Sequence, residues 1–476
     1  MNRRAFTSLL AGAATSTAFG GAFQTSSKGE FQPTWDSLDK HTIPEWYQDA
    51  KLGIFVHWGL YSVPAWAPPT GELGKIDWNT WFTNNPYAEW YLNSLRIVGS
   101  PTYRHHVQTY GKNFDYYRFA ESFDKSTQAW QPSEWASLFK KTGARYVVLT
   151  TKHHDGFRLW PSKVTNPHAN GRQISATRDL VGNLTSAVRG AGMKMGLYYS
   201  GGLDWTFTSE PIRTQSELMA RVPQSPEYAS YADSHWRELI QNYQPAVLWN
   251  DISYPKLGKI PAIFADYYDT VPGGVINDRF SAPFADFTTP EYAKYDKITL
   301  KKWESCRGLG FSFGYNQVEG PEQVIAPDKL VALLADIVSK NGNLLLNVGP
   351  KPDGTISGIQ LDRLHKLGGW LSINGDAIFG SRPWVRSSGS AADGTDVRFT
   401  TKGGHLYAIY LKAGRGDVLR VPGVRSKPGT TVEVLGSQGK TTVAQEGKDI
   451  LVKTNQSLPQ SLALTVKITP TPDSAA

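Results

Sequence analysis

Asp251 and Glu291 are the residues of this sequence that could do chemistry as a pair. Ala246-Val247-Leu248-Trp249 is an unbroken apolar run behind Pro245, and after Asn250 it stops at Asp251. Such a run reads as a buried strand, with the acid where a parallel strand meets its following loop. Glu291 stands in a second polar loop, marked by Pro290, after the short strand Gly274-Val275-Ile276-Asn277-Asp278. In barrels of alternating strands and helices this edge carries the chemistry. Two carboxylates there suit retaining glycoside hydrolysis, one attacking the sugar carbon and one protonating the leaving oxygen. Spacing alone does not select them: the chain holds 42 Asp and Glu, and either acid reads equally as a loop cap or a solvated charge.

The elements that must position the pair alternate along the chain. The segment 51–59 reads as a strand with His57 at its C-terminal end, followed by a long loop that delivers Tyr87-Ala88-Glu89-Trp90-Tyr91. An acid flanked by aromatics suits a sugar hydroxyl beside a stacking surface; an acid at a helix start is the plain alternative. Ser133 is positioned to cap a helix over 134–142 that Gly143 ends, before a strand over 146–151 that terminates in Lys152-His153-His154-Asp155-Gly156-Phe157. A helix over 178–189, a strand over 193–199 and a helix over 234–243 lead into the strand that ends at Asp251. A strand over 299–304, a helix over 328–339, a strand over 343–349 and a helix over 359–374 continue the pattern. This predicts a parallel (β/α)8-type barrel of the TIM kind, regular or irregular, over 35–380. The rival doubly wound sheet lacks a Gly-rich phosphate loop after the first strand. From about Trp384 short alternating runs follow one another without helices, and Gly403-Gly404 marks a hairpin. An antiparallel β-sandwich over 384–470 is expected, read as a buttress on the barrel.

Composition narrows the setting. The 476 residues suffice for two or three domains and a full core. Residues 1–25 read as a twin-arginine signal: Asn2-Arg3-Arg4-Ala5-Phe6, a mildly apolar stretch, then small residues, too short and too polar to span a membrane. Export to the periplasm or the medium follows. The single cysteine, Cys306, forms no intrachain disulfide, so the fold rests on its core even in an oxidising compartment. Setting aside Arg3 and Arg4 lowers the formal charge from +8 to +6, and no Lys/Arg run concentrates it, which argues against a nucleic-acid partner. Sixteen Trp and 22 Tyr supply core packing and rings on which sugar faces stack.

The loops together resemble an exported bacterial α-L-fucosidase of glycoside hydrolase family 29, from about Trp35 onward. The carrying pieces are KLGIFVHWGLYSVPAW (51–66), NPYAEWY (85–91), TTKHHDGF (150–157), GLYYSGGLDW (196–205), VLWND (247–251), INDRF (276–280) and GFSFGYN (310–316). The resemblance implies a barrel followed by a β-sandwich and retaining, exo-acting hydrolysis of α-L-fucose from fucosylated oligosaccharides or glycoconjugates, without a cofactor. Matched position by position, Asp251 corresponds to the nucleophile and Glu291 to the acid/base, with Glu304 and Glu319 as alternatives for the latter. His57, Glu89, Trp90, His153, His154, Tyr198 and Arg279 match the residues that hold fucose, with Trp90 toward the C6 methyl. Neutral imidazoles both donate and accept, which suits a ring of hydroxyls. Adjacent histidines on a strand point apart, so His153 and His154 can share one sugar only if the backbone bends there. No His-Glu-x-x-His pattern accompanies them, and no metal is expected. An α-galactosidase on a similar barrel and a sugar-binding protein on an inactive hydrolase scaffold are the competing readings.

Overall fold

The computed structural model describes residues 29–391, 393–412 and 417–475. The segment read as a twin-arginine signal, 1–25, lies outside the described residues. Seven parallel strands form one curled sheet: β1 (Leu52–Val56), β2 (Tyr146–Lys152), β3 (Lys194–Tyr199), β4 (Val247–Asn250), β5 (Val275–Ile276), β6 (Trp303–Gly308) and β7 (Gly342–Val348). Their order across the sheet is β5-β4-β3-β2-β1-β7-β6. Apart from Lys194 and Arg307 every residue of these strands is buried, as expected of a parallel sheet covered by helices. The covering helices include Pro132–Thr142, Leu180–Gly190, Pro226–Tyr243, Ile260–Thr270, Pro327–Ser339 and Gly358–Asn374.

The expected barrel is present in irregular form. No α-helix joins β5 to β6, and where an eighth strand would complete the ring the chain crosses in single parallel bridges, Asn277 to Phe287, Thr288 to Trp303 and Glu291 to Cys306. Pro290 accounts for part of this, because it has no N–H to give to a ladder. Glu291 thus belongs to the segment that replaces a strand.

Several boundaries differ from the sequence reading. The helix read over 134–142 begins at Pro132, whose fixed φ suits a first turn, and Ser133 caps nothing. The helix read from 178 starts at Leu180, with the Asp179 side chain accepting from Gly182 N. The strand read over 274–278 keeps only Val275 and Ile276, because Asp278 opens a 3-10 turn, Asp278–Phe280. The strand read over 299–304 begins at Trp303 and runs on to Gly308; Leu300, fully exposed at 101 %, lies outside it. That shift matters for Glu304, which stands at the N-terminal, floor end of the barrel and not at the edge that carries chemistry.

Between Arg382 and Ser474 the described strands form a five-stranded antiparallel sheet with smaller sheets of three and two strands. The hairpin at Gly403-Gly404 joins Asp396–Lys402 to His405–Tyr410, and both glycines have positive φ, 58° and 80°. Val397, Phe399, Leu406, Val466 and Ile468 of the larger sheet meet Val421, Ile450 and Val452 of the smaller one in a separate core. This unit is clamped to the barrel. Trp370 donates through Nε1 to the Ala463 carbonyl, and Thr400 donates to that of Ala377. Buried Asp336, on the barrel helix Pro327–Ser339, accepts from Arg398 of the sandwich at 2.5 Å and is ion-paired with Lys294 and Lys340 at 2.8 Å each. Burial alone would raise its carboxyl, but the three cations bring it down to about 2. Its contribution to stability is therefore complete above the ordinary carboxylate range and is lost only as pH falls through about 2. Asp336→Ala leaves cations without a counter-charge and should destabilise the protein by about 3 kcal/mol in urea denaturation at neutral pH, sparing the cavity described next.

Candidate active site

The nine residues singled out from the sequence for a site come together. Asp251, Glu291, His57, Glu89, Trp90, His153, His154, Tyr198 and Arg279 all line one cavity at the C-terminal ends of the strands. Its volume is about 170 Å³.

Asp251 follows β4 directly. Its Oδ1 accepts from Arg279 Nη1 at 2.9 Å and from Ile252 N at 3.0 Å, and its Oδ2 accepts from the Tyr198 hydroxyl at 2.9 Å. Burial alone would raise this carboxyl, but the Arg279 guanidinium, aided by its bond and that of Tyr198, holds it below the usual range. The backbone then turns through left-handed conformations at Ile252 and Ser253, φ 51° and 71°. For a β-branched residue that is strained. It is held by Ser253 N donating to the Arg279 carbonyl at 2.9 Å and by Gly202 N donating to the Asp251 carbonyl at 3.0 Å. A Cβ on Gly202 would stand 1.5 Å from the Ile252 carbonyl oxygen, so only glycine fits there.

Arg279 sits on the 3-10 turn after β5 and spans both acids. Its Nη2 donates to Glu291 Oε2 at 2.9 Å, its Nε donates to Thr289 Oγ1 at 3.0 Å, and its guanidinium carbon lies 4.7 Å from the centre of the Trp249 ring. Asp278 ties the same two segments together, accepting from Thr289 N at 3.1 Å and Thr289 Oγ1 at 2.6 Å. Glu291 Oε1 accepts from the Tyr87 hydroxyl at 2.9 Å. Tyr292, the residue after it, again has a positive φ, 48°.

The alternatives for the acid stand elsewhere. Glu304 lies beneath the cavity, accepting from Tyr47 at 2.9 Å, Tyr146 at 2.5 Å and Trp249 Nε1 at 3.0 Å. Glu319 accepts from Ser312 N at 2.8 Å and is raised by burial to about 8. Neither lines the cavity.

The histidines are neutral and their tautomers are set. Asn347 donates through Nδ2 to the Phe313 carbonyl at 2.6 Å, which turns its Oδ1 to His57 Nδ1 at 2.7 Å. The proton is thus on Nδ1, and Nε2 keeps a lone pair. Ser200 donates to the Leu203 carbonyl at 2.7 Å and so accepts from His154 Nδ1 at 2.6 Å, leaving His154 Nε2 as an acceptor 3.8 Å from Asp251. Burial lowers His57 to about 3 and His154 to about 4, and His153 is lowered well below its ordinary value for the same reason. The backbone bend that His153 and His154 need to share a ligand is present. The β2–β3 register slips between Thr150 and Lys152, and Gly156, at φ 79°, returns its N–H to the His153 carbonyl at 3.1 Å. Asp155 secures the turn by accepting from Phe157 N at 3.0 Å and from the Tyr116 hydroxyl at 2.8 Å. Below it the buried Lys152–Asp204 pair, 2.8 Å, pins the loop after β3, whose Trp205 N donates to the His154 carbonyl at 2.7 Å.

Glu89 is in a 3-10 turn, Ala88–Trp90, and accepts from Gly314 N at 2.7 Å and Ser312 Oγ at 3.1 Å. Burial nevertheless raises it to about 7. Trp90 packs edge-on against His154 and Trp205, with ring centres 5.5 and 5.7 Å apart. Tyr87, Trp249, Asn347, Thr289 and Cys306 were not assigned from the sequence. Tyr87 stands within a quoted motif, but its partner Glu291 is 204 positions away; Cys306 receives a long 3.5 Å contact from Arg279 Nη2. No group of three His, Cys, Asp or Glu side chains with metal-binding geometry occurs among the described residues.

Known proteins resemble this chain over most of its length. The family model described as alpha-L-fucosidase matches residues 21–376. The alpha-L-fucosidase of Dictyostelium discoideum is 32 % identical over 434 residues, covering 87 % of this chain and 88 % of its own. Human tissue alpha-L-fucosidase is 32 % identical over 464 residues, covering 92 % of each. The Thermotoga maritima alpha-fucosidase in complex with fucose superposes with a TM-score of 0.84 at 44 % identity, over 92 % of this chain and 100 % of that one. Its complex with a mechanism-based inhibitor gives 0.84 at 45 %, over 92 % and 99 %. A curled parallel sheet with two acids at its C-terminal edge, and relatives that match it almost end to end, place this chain in the alpha-L-fucosidase family of glycoside hydrolases.

Proposed function

We propose that this protein removes terminal α-L-fucose from oligosaccharides or glycoconjugates with retention of configuration, through a fucosyl ester of Asp251. The observation that carries the reading is the single Arg279 guanidinium bonded to both Asp251 and Glu291. One planar group joining two carboxylates keeps both within reach of one sugar, which supports a retaining pair, whose carboxyl groups stand roughly 5 Å apart. The complexes of the Thermotoga relative with fucose and with a mechanism-based inhibitor support the substrate and the covalent route.

In the first step Asp251 attacks the anomeric carbon as the glycosidic bond breaks, and Glu291 gives its proton to the departing oxygen. Asp251 Oδ2 is the better placed atom, because Oδ1 already accepts two bonds and Oδ2 accepts only that from Tyr198. The Tyr87 hydroxyl can accept from a protonated Glu291 or donate to an ionised one, so it serves both of its states. Once Asp251 is an ester, the guanidinium faces Glu291 alone, which favours the ionised form that removes a proton from water in the second step. The lone pairs on His57 and His154 Nε2 accept hydrogen bonds from sugar hydroxyls. Glu89, raised to about 7, can donate or accept near neutral pH. Trp90 meets the C6 methyl.

The charge logic predicts the effect of Arg279→Lys. An ammonium cannot fork between two acids, and burial then dominates at Asp251, raising its carboxyl. The acid limb of kcat/KM should move to higher pH, and the plateau should fall about 10²-fold from misplacement. An unmoved limb would show that Arg279 does not set the charge of Asp251.

The roles of the two acids separate by leaving group. Asp251→Gly should nearly abolish turnover of every fucoside. Glu291→Ala should cost little in kcat/KM for an activated aryl fucoside, yet lose about 10²–10⁴-fold for a fucosyl disaccharide, whose leaving oxygen needs the proton. If the disaccharide-to-aryl ratio is unchanged in Glu291→Ala, the proton comes from elsewhere.

A further inference from the structure

We propose that the outer part of the cavity is a leaving-group subsite for an uncharged aglycone with a flat apolar face, with Trp78 as its platform. This deepens the fucosidase reading and rests on it. The helix Trp78–Thr83 is capped by Asp77, whose side chain accepts from Thr80 N at 2.9 Å. It puts Trp78, Trp81 and Phe82, at i, i+3 and i+4, on the cavity wall. Its rings continue those of the sugar pocket. Trp90 and Trp81 meet edge-on at 5.6 Å, and Trp81 and Trp78 at 5.9 Å. Exposure rises along this line from 4 % at Trp90 and 5 % at Trp81 to 43 % at Trp78, so the row leads from the buried pocket to its mouth.

The row also starts where a leaving oxygen has to be. Trp81 stands edge-on to Tyr87 at 5.0 Å, and the Tyr87 hydroxyl holds Glu291, the proton donor. Leu73 and Leu218, the latter on the helix Gln215–Ala220, line the same cavity. The charged residues that line it, Glu89, Asp251, Arg279 and Glu291, belong to the reaction centre, and the helix Trp78–Thr83 itself carries no charged side chain. An exposed indole of this kind suits an aromatic ring or the apolar face of a neutral pyranose, and offers no counter-charge or hydrogen-bond acceptor to a charged group.

The test compares kcat/KM for wild type, Trp78→Ala and Trp78→Phe on three substrates. α-L-Fucosyl fluoride has a leaving group too small to reach the platform, 4-nitrophenyl α-L-fucoside presents an aryl ring, and a neutral fucosyl disaccharide presents a sugar. The Ala variant should keep fluoride turnover and lose about two- to tenfold on the aryl fucoside, the disaccharide or both, with Phe restoring most of it. The substrate that loses identifies the source of the flat face. Equal loss on fluoride would make Trp78 part of the fucose pocket or the fold, and no loss on either of the others would leave the platform unused; both overturn the proposal. Wild type inert toward fluoride and aryl fucoside alike would instead overturn the fucosidase reading beneath it.

Discussion

The site depends on one part-buried guanidinium. Arg279 lies over the Trp249 ring and is bonded to Asp251, Glu291 and Thr289, so one planar group fixes the relative positions of both acids and of the loops that carry them. A part-buried cation is costly without partners and specific with them. Here it has two carboxylates, so one remains as its counter-charge when the other is protonated or esterified. Its support continues downward: the Trp249 indole donates to Glu304, which Tyr47 and Tyr146 also hold at the floor of the barrel. The left-handed residues Ile252, Ser253 and Tyr292 flank the two acids, each a local strain of about 1–3 kcal/mol that persists only where surroundings over-determine it. The backbone bonds between the Asp251 and Arg279 loops provide that surplus.

The irregularity of the barrel belongs to the same economy of structure. A regular eighth strand would commit the 287–291 segment to a ladder, with alternate side chains directed outward. Isolated bridges hold Glu291 against β6 while leaving its loop to follow Arg279. The segment is clipped to the Arg279 turn by Asp278, which takes both the N–H and the hydroxyl of Thr289.

Much of this was readable from the chain, for definite reasons. A parallel sheet buried on both faces leaves unbroken apolar runs, so the strands ending at His57, His153 and Asp251 stood out, and with them the edge at which chemistry collects. The motif pieces contain eight of the nine residues singled out for the cavity; Glu291 lies outside them, in a loop marked by Pro290. What escaped was anything decided by partners distant in the chain. The strand holding Glu304 was read four residues early, because the run through Lys302 carries no register of its own; register comes from pairing with β7. Asn347, 290 positions from His57, decides the tautomer of that histidine, and no local pattern announces it. The missing eighth strand was equally silent, since the Pro and aromatic residues there serve a loop as readily as an edge strand.

The central claim, that Arg279 holds Asp251 ionised as the nucleophile beside Glu291, is tested most directly by trapping. A 2-deoxy-2-fluoro-α-L-fucosyl donor with a good leaving group slows the second step more than the first, so the fucosyl ester should accumulate as activity is lost. Peptide mapping of the inactivated protein should find a single fluorofucosyl adduct on Asp251. An adduct on Glu291 or on any other residue, or turnover of the donor with no adduct in either wild type or Glu291→Ala, would contradict the account.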